Sequence, residues 1–149
     1  DLKSLNPGLK IVLSISPVIH LKNGLVNNNL SKSTLLLAAH SLQSENAQCS
    51  YFPAYELIHD DLRDYRFYAS DMVHPSEQAI DYVWDFFKNT YWNKSTFDVN
   101  KKVEAVLKAV NHRPLHPENT DYQQFIDSIK TKISLLKKDF PHFEFDFEL

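Results

Sequence analysis

The sequence predicts an α/β domain with parallel strands, followed by a helical carboxyl-terminal extension. The first sign is Lys10-Ile11-Val12-Leu13-Ser14-Ile15-Ser16, a near-continuous apolar run stopped by Pro17. Such a run suits a strand covered on both faces, as parallel strands are. The second sign is another short apolar run, about Ala47 to Phe52 and ended by Pro53, with a helix-period segment between the two. Strand, helix, strand is a crossover unit, and it makes the two strands parallel neighbours. The third sign is a change of character beyond Asn93, where only helical periodicity continues. Residues 1–92 are therefore read as the α/β part and residues 93–149 as the extension.

Taken in order, Asn6-Pro7-Gly8 is a turn that leads into the first strand. Val18 to Asn29 is expected as a long connection turning at Lys22-Asn23-Gly24. Loops at the carboxyl ends of parallel strands are where α/β proteins place their sites, so His20 is marked. Ser31 or Asn29 is a fitting cap for a helix running to about Gln43, with Leu35, Leu36, Leu37, Ala38, Ala39 and Leu42 as a broad apolar face. After the second strand, Ala54 to about Leu62 reads as a short helix and Arg63 to Tyr68 as an irregular segment. The next helix starts at Pro75 or Ser76 and runs to about Trp92, with Ala79, Ile80, Val83, Trp84 and Phe87 at helical spacing. That aromatic stripe is expected in the core. In the extension, Asp98 to Val110 and Tyr122 to Phe140 are amphipathic helices that pair as a hairpin or pack back on the sheet. The closing Phe143 to Leu149 alternates apolar and acidic residues like a half-buried strand.

Composition narrows the function. At 149 residues, with 43% hydrophobic and 23% charged residues, the chain is long enough to bury a core. A formal net charge of -3 gives no electrostatic case for nucleic acid. No run of roughly 18 apolar residues marks a membrane span. The one cysteine, Cys49, rules out an internal disulfide and sits in a strand-like run, where a packed thiol is expected. Only Gly8 and Gly24 are glycines, so phosphate-cradling loops are absent and no cofactor is called for. No signal peptide is in view, but the first residue is Asp1 rather than methionine, so location is not read from that absence and is left open, with cytoplasmic as the favoured expectation.

The chemistry concentrates in Asp71-Met72-Val73-His74-Pro75-Ser76, just ahead of a helix. If the Asp71 carboxylate accepts a hydrogen bond from one ring nitrogen of His74, it fixes the tautomer and leaves the other nitrogen as a base. Two fields oppose each other on such a ring: the carboxylate favours the charged form, and the positive end of the following helix disfavours it. Asp71 is equally suited to cap the next turn. Metal binding is a weak rival. His112 and His116 have a ligand-like spacing, but Pro114 and Pro117 exclude the helix that would align them. Asp60, Asp61 and Asp64 lack the glycine and ligand spacing of a calcium loop. Tyr65 to Tyr68 has stacking residues, which in an acidic chain are better read as packing and loop anchors.

As an ordered set, several stretches resemble the GSCFA-domain family. They are Ser16-Pro17-Val18, His20-Leu21-Lys22-Asn23-Gly24, Leu30-Ser31-Lys32, Tyr51-Phe52-Pro53-Ala54-Tyr55-Glu56, Asp64-Tyr65-Arg66-Phe67-Tyr68 and Asp71 to Ser76. That family is placed with the SGNH, or GDSL-like, hydrolases. The resemblance implies a three-layer α/β/α sandwich, here in part. It also implies that Asp71 and His74 are the acid and base serving a serine nucleophile. No Gly-Ser-Cys-Phe-Ala stretch occurs in the chain, nor a Gly-x-Asn-Asp block. The expectation is therefore a carboxyl-terminal part of a longer protein, whose nucleophile and oxyanion donors lie outside these residues. Ser16, Ser70 and Ser76 are the substitute nucleophiles to consider, with Ser76 better placed as a helix cap. His20, Tyr55, Glu56 and Arg66 are expected to line a pocket for an acyl-ester small molecule or an acylated glycan. The alternative is a non-catalytic interaction module that retains the fold.

Overall fold

The computed structural model describes residues 2–111 and 120–145. The chain forms two compact units, Asp1–Tyr91 and Trp92–Leu149. The first is mixed α/β. A short helix α1 (Leu2–Leu5) precedes β1 (Ile11–Ser14); a 3-10 turn (Leu21–Asn23) then leads into the long helix α2 (Gly24–Glu45) and β2 (Cys49–Phe52). The strands pair in parallel, Ile11 beside Cys49 through Ser14 beside Phe52. Next come α3 (Ala54–Glu56), a π-helical turn (Leu57–Leu62), a 3-10 turn (Tyr65–Phe67) and α4 (Glu77–Tyr91).

Several elements depart from expectation for physical reasons. Helix α2 starts at Gly24, ahead of the expected cap at Asn29 or Ser31. Its polar first turns are held by side-chain bonds: Asn27 Nδ2 donates to the Asn23 carbonyl at 2.9 Å, and Asn28 Oδ1 accepts the His20 backbone N–H at 3.0 Å. The face of α2 that is buried runs through Asn28, Lys32 and Ala39, whereas Leu35, Leu37 and Leu42 are exposed. β1 is not covered on both faces: its residues alternate, and Val12 is 43% exposed. The helix expected over Ala54 to Leu62 widens into a π turn, closed where the Arg63 N–H reaches the Ile58 carbonyl at 3.1 Å with Arg63 in the left-handed region, φ 54°.

The core of this unit is aromatic and aliphatic. Phe52, 4% exposed at the end of β2, meets Phe87 edge-on at 5.1 Å and lies near Phe86 and Tyr91. Ile58, Phe67 and Ala79 form a second buried cluster, flanked by Leu62, Tyr68 and Val83. The stripe expected on α4 is thus partly core, though Ile80 and Trp84 are exposed.

The second unit pairs α5 (Lys94–Val110) with α6 (Thr120–Asp139). Asn93 Oδ1 caps α5 by accepting the Thr96 N–H at 2.9 Å. Val106, Ile126, Ile129 and Leu136 are buried between the helices, with Phe140 and Phe145 against them. The strand expected over Phe143 to Leu149 does not form at residues 143–145, which are irregular and stack ring on ring, Phe143 with Phe140 at 5.0 Å. Residues 146–149, and His112, Pro114, His116 and Pro117 of the weighed metal site, lie outside the described residues.

Truncating a buried phenylalanine removes its transfer free energy and leaves a cavity, so Phe52→Ala is expected to destabilise the first unit by about 3–5 kcal/mol. Urea unfolding followed by near-UV circular dichroism measures this as a lower midpoint. An unmoved midpoint would show that the ring cluster does not hold the end of β2 to α4.

Candidate active site

The loop between the 3-10 turn and α4 is closed by backbone bonds. Ala69 N–H donates to the His74 carbonyl and Ser76 N–H to the Phe67 carbonyl, both at 2.8 Å, and Tyr68 bridges Pro75. Phe67 anchors one side of the loop in the core. Within it, Met72 N–H reaches the Ala69 carbonyl at 2.9 Å, and Met72 takes the left-handed conformation, φ 60°. Ser76, not Asp71, stands at the start of α4, its Oγ accepting the Ala79 N–H at 3.4 Å.

Both readings of Asp71 are satisfied by different oxygens of one carboxylate. Oδ1 accepts the backbone N–H of Val73 at 2.9 Å and of His74 at 3.0 Å. Oδ2 meets His74 Nδ1 at 2.6 Å. The pair lies at the surface, with the His74 side chain 62% and the Asp71 side chain 49% exposed. Among the described residues His74 Nε2 has no hydrogen-bond partner, so the ring gives one nitrogen to the acid and leaves the other unbonded. The His74 backbone N–H, then its ring, then the Val73 N–H hold the Asp71 carboxyl at a pKa of about 2, below its ordinary 3.8. A carboxylate held this way stays ionised and keeps its acceptor role through the neutral range.

The connection after β1 lies against this loop. Ile19 N–H makes a long bond of 3.5 Å to the Val73 carbonyl. Pro17 and Pro75 also line one cavity of about 270 Å³ together with Phe52, Ile58, Val83 and Trp84, an apolar wall throughout. Of the other expected site residues, only His20 belongs to this connection. Its side chain is exposed and its backbone is held by Asn28. Tyr55 stacks on His59 at 4.3 Å between ring centres. Glu56 accepts the Tyr51 hydroxyl on both carboxylate oxygens, at 3.1 and 2.9 Å, and lines a different cavity with Leu36, Leu37, His40 and Gln43. Arg66 lies over the Phe67 ring at 4.8 Å and near Asp64 at 3.8 Å, exposed to solvent. No described contact joins Tyr55, Glu56 or Arg66 to His74. Ser16 Oγ accepts the Val18 N–H at 3.2 Å, and no serine hydroxyl bonds to His74 among the described residues. Among those residues, too, no group of three or more His, Cys, Asp and Glu side chains is placed to hold a metal ion.

Two side chains not singled out in the sequence stand beneath this connection. Asn28 and Lys32 are 5% and 4% exposed, and Lys32 Nζ donates to the Ser16 carbonyl at 2.5 Å. Their signal was there to be read: two polar residues one helical turn apart, on the helix that follows the connection.

The family described as GSCFA family matches residues 1–87, more than half of the chain. The chain belongs to the GSCFA family. A second match, described as GSCFA domain protein, C-terminal domain, covers residues 103–149. In this GSCFA chain the first match takes in both strands and the Asp71–His74 pair, and the second takes in part of α5 and all of α6. No curated protein and no solved structure matches it. No described helix is long and apolar enough to cross a membrane.

Because its pKa is depressed, Asp71 holds the loop at full strength above about 3.8 and loses that hold as pH falls through about 2. Carbon-detected NMR titration of the Asp71 carboxyl is expected to place its midpoint near 2. A midpoint at the ordinary 3.8 would show that the three bonds to the carboxylate are not made in solution.

Proposed function

We propose that this chain carries the acid–base pair of an SGNH-type serine hydrolase acting on acyl esters, as an esterase or acyltransferase. On this reading β1 and β2 are neighbouring strands of a three-layer α/β/α sandwich, and the nucleophilic serine is supplied from outside these 149 residues. One observation carries the reading: an exposed imidazole whose Nδ1 is held by a carboxylate at 2.6 Å, with no partner on its Nε2 among the described residues. The substrate classes that fit are an acyl-ester small molecule and an acylated glycan.

The roles follow from the bonding. Asp71 Oδ2 accepts the Nδ1–H, which leaves the Nε2 lone pair to take the proton of a serine hydroxyl as its oxygen attacks the ester carbonyl. The imidazolium formed is stabilised by the ionised carboxylate. It then gives its Nε2 proton to the departing alcohol oxygen as the carbon–oxygen bond breaks. Water or another hydroxyl then attacks the serine ester, giving its proton to His74 Nε2 and taking the acyl group on its oxygen, and His74 returns that proton to the serine oxygen as the ester bond breaks. An interaction module that kept the motif only for packing is better served by a buried His74 with both nitrogens engaged, so the exposure of the ring favours the hydrolase reading.

The complete gene product, treated with an organophosphonate ester probe, tests the assignment. His74→Ala is expected to abolish labelling. Asp71→Asn keeps an oxygen for the Val73 and His74 amides but turns an N–H toward Nδ1, forcing the wrong tautomer. It is expected to slow labelling by roughly 10⁴-fold, the scale seen when the orienting acid of a serine protease is so changed. Undiminished labelling of His74→Ala would remove His74 as the base.

A further inference from the structure

Beneath the site lies a polar grip that an apolar core would not need. Asn28 and Lys32 are one turn apart on α2, and both are buried, at 5% and 4% exposure. Each reaches the backbone of the same connection: Lys32 Nζ donates to the Ser16 carbonyl at 2.5 Å, and Asn28 Oδ1 accepts the His20 N–H at 3.0 Å. The two bonds fix the ends of a five-residue segment, 16–20, whose Ile19 N–H points at the Val73 carbonyl. Val73 is the residue before His74, and its own N–H is bound by Asp71.

No described carboxylate pairs with Lys32, and burial pushes its ammonium pKa down. A buried cation without an anion is costly, and an apolar side chain of the same length would fill the position at less cost. Retention of the ammonium is accounted for by what it holds. Helix α2 is long and rigid, whereas a loop of this length has no regular bonding of its own. Two short bonds transfer the position of the helix to the loop and, through Ile19 and the shared Pro17–Pro75 wall, to the segment carrying the base.

We infer that Asn28 and Lys32 are positioning residues for His74, acting through the connection 16–20 rather than by touching the reacting atoms. The effect on rate rests on the proposed hydrolase reading; the effect on the histidine does not. In the complete gene product, Lys32→Met removes the donor at similar length, Asn28→Leu removes the acceptor, and Asn28→Asp keeps an acceptor oxygen. Proton NMR reads the His74 Nδ1–H resonance, and nitrogen-edited spectra read the Ile19 and Val73 amides. Lys32→Met and Asn28→Leu are expected to shift all three signals with the far-UV circular dichroism unchanged, and Asn28→Asp to return them toward the parent. Phosphonate labelling is expected to slow by roughly 10- to 100-fold in the first two variants, the scale of a small misplacement of a catalytic group, and to recover largely in Asn28→Asp. His74 and Val73 signals identical to the parent in Asn28→Leu and Lys32→Met overturn the inference, whatever the labelling shows. If Lys32→Met does not fold, the Asn28 pair decides alone by the same signals. If the parent is not labelled, the hydrolase reading fails while the NMR comparison still judges the grip.

Discussion

In the loop ahead of α4 the Asp71 carboxylate divides its two oxygens between backbone and base. One oxygen draws the Val73 and His74 amides together and makes the turn; the other takes the imidazole nitrogen. Because all of these partners lie within three residues, little chain entropy is lost in bringing them together. That is why an ion-pair geometry so exposed to solvent holds without a buried wall around it. Turn and base orientation are then one constraint. A change that loosens the amides also frees the ring, and the left-handed Met72 between them is tolerated because the carboxylate bonds across it.

The second constraint is the way a helix disciplines a loop. The connection after β1 contains no regular element until Leu21, and its carbonyl and amide ends are met by Lys32 and Asn28. Buried polar side chains that are fully engaged rigidify what they hold, and in low dielectric each such bond is stronger than it would be in water. The parallel pair β1–β2 is tied to α4 by the ring cluster around Phe52, and the loop carrying His74 leads into α4 while Ile19 of the connection after β1 bonds to its Val73.

What was legible in the sequence divides along these lines. Contacts local in sequence were readable: Asp71 and His74 are three apart, so their meeting depends on one turn. The helical spacing of Ala79, Val83 and Phe87 likewise located α4 almost to the residue. The mixed α/β character followed from two short apolar runs around a helix, and two parallel strands are present. Where a residue's fate depended on side-chain bonds that the periodicity does not encode, the sequence was silent. The helix was expected to be capped at Asn29 or Ser31, yet Asn27 and Asn28 bond back to Asn23 and His20 in a helix that begins earlier. The leucines of α2 looked like its buried face, yet the stripe that packs passes through Asn28, Lys32 and Ala39. The π turn at Leu57–Leu62 leaves no periodic mark of its own in the sequence.

Tyr51 and Glu56, just ahead of that turn, bear on any mutational survey of this protein. The hydroxyl of Tyr51 donates to both oxygens of Glu56, a clasp that ties the last turn of sheet to the first turn of α3. Burial and that acid together push the Tyr51 hydroxyl pKa upward, so the clasp survives alkaline conditions that would ionise a free phenol. Removing Glu56 would open that clasp, so a survey that scored activity alone would not separate a loosened β2–α3 junction from a lost substrate contact.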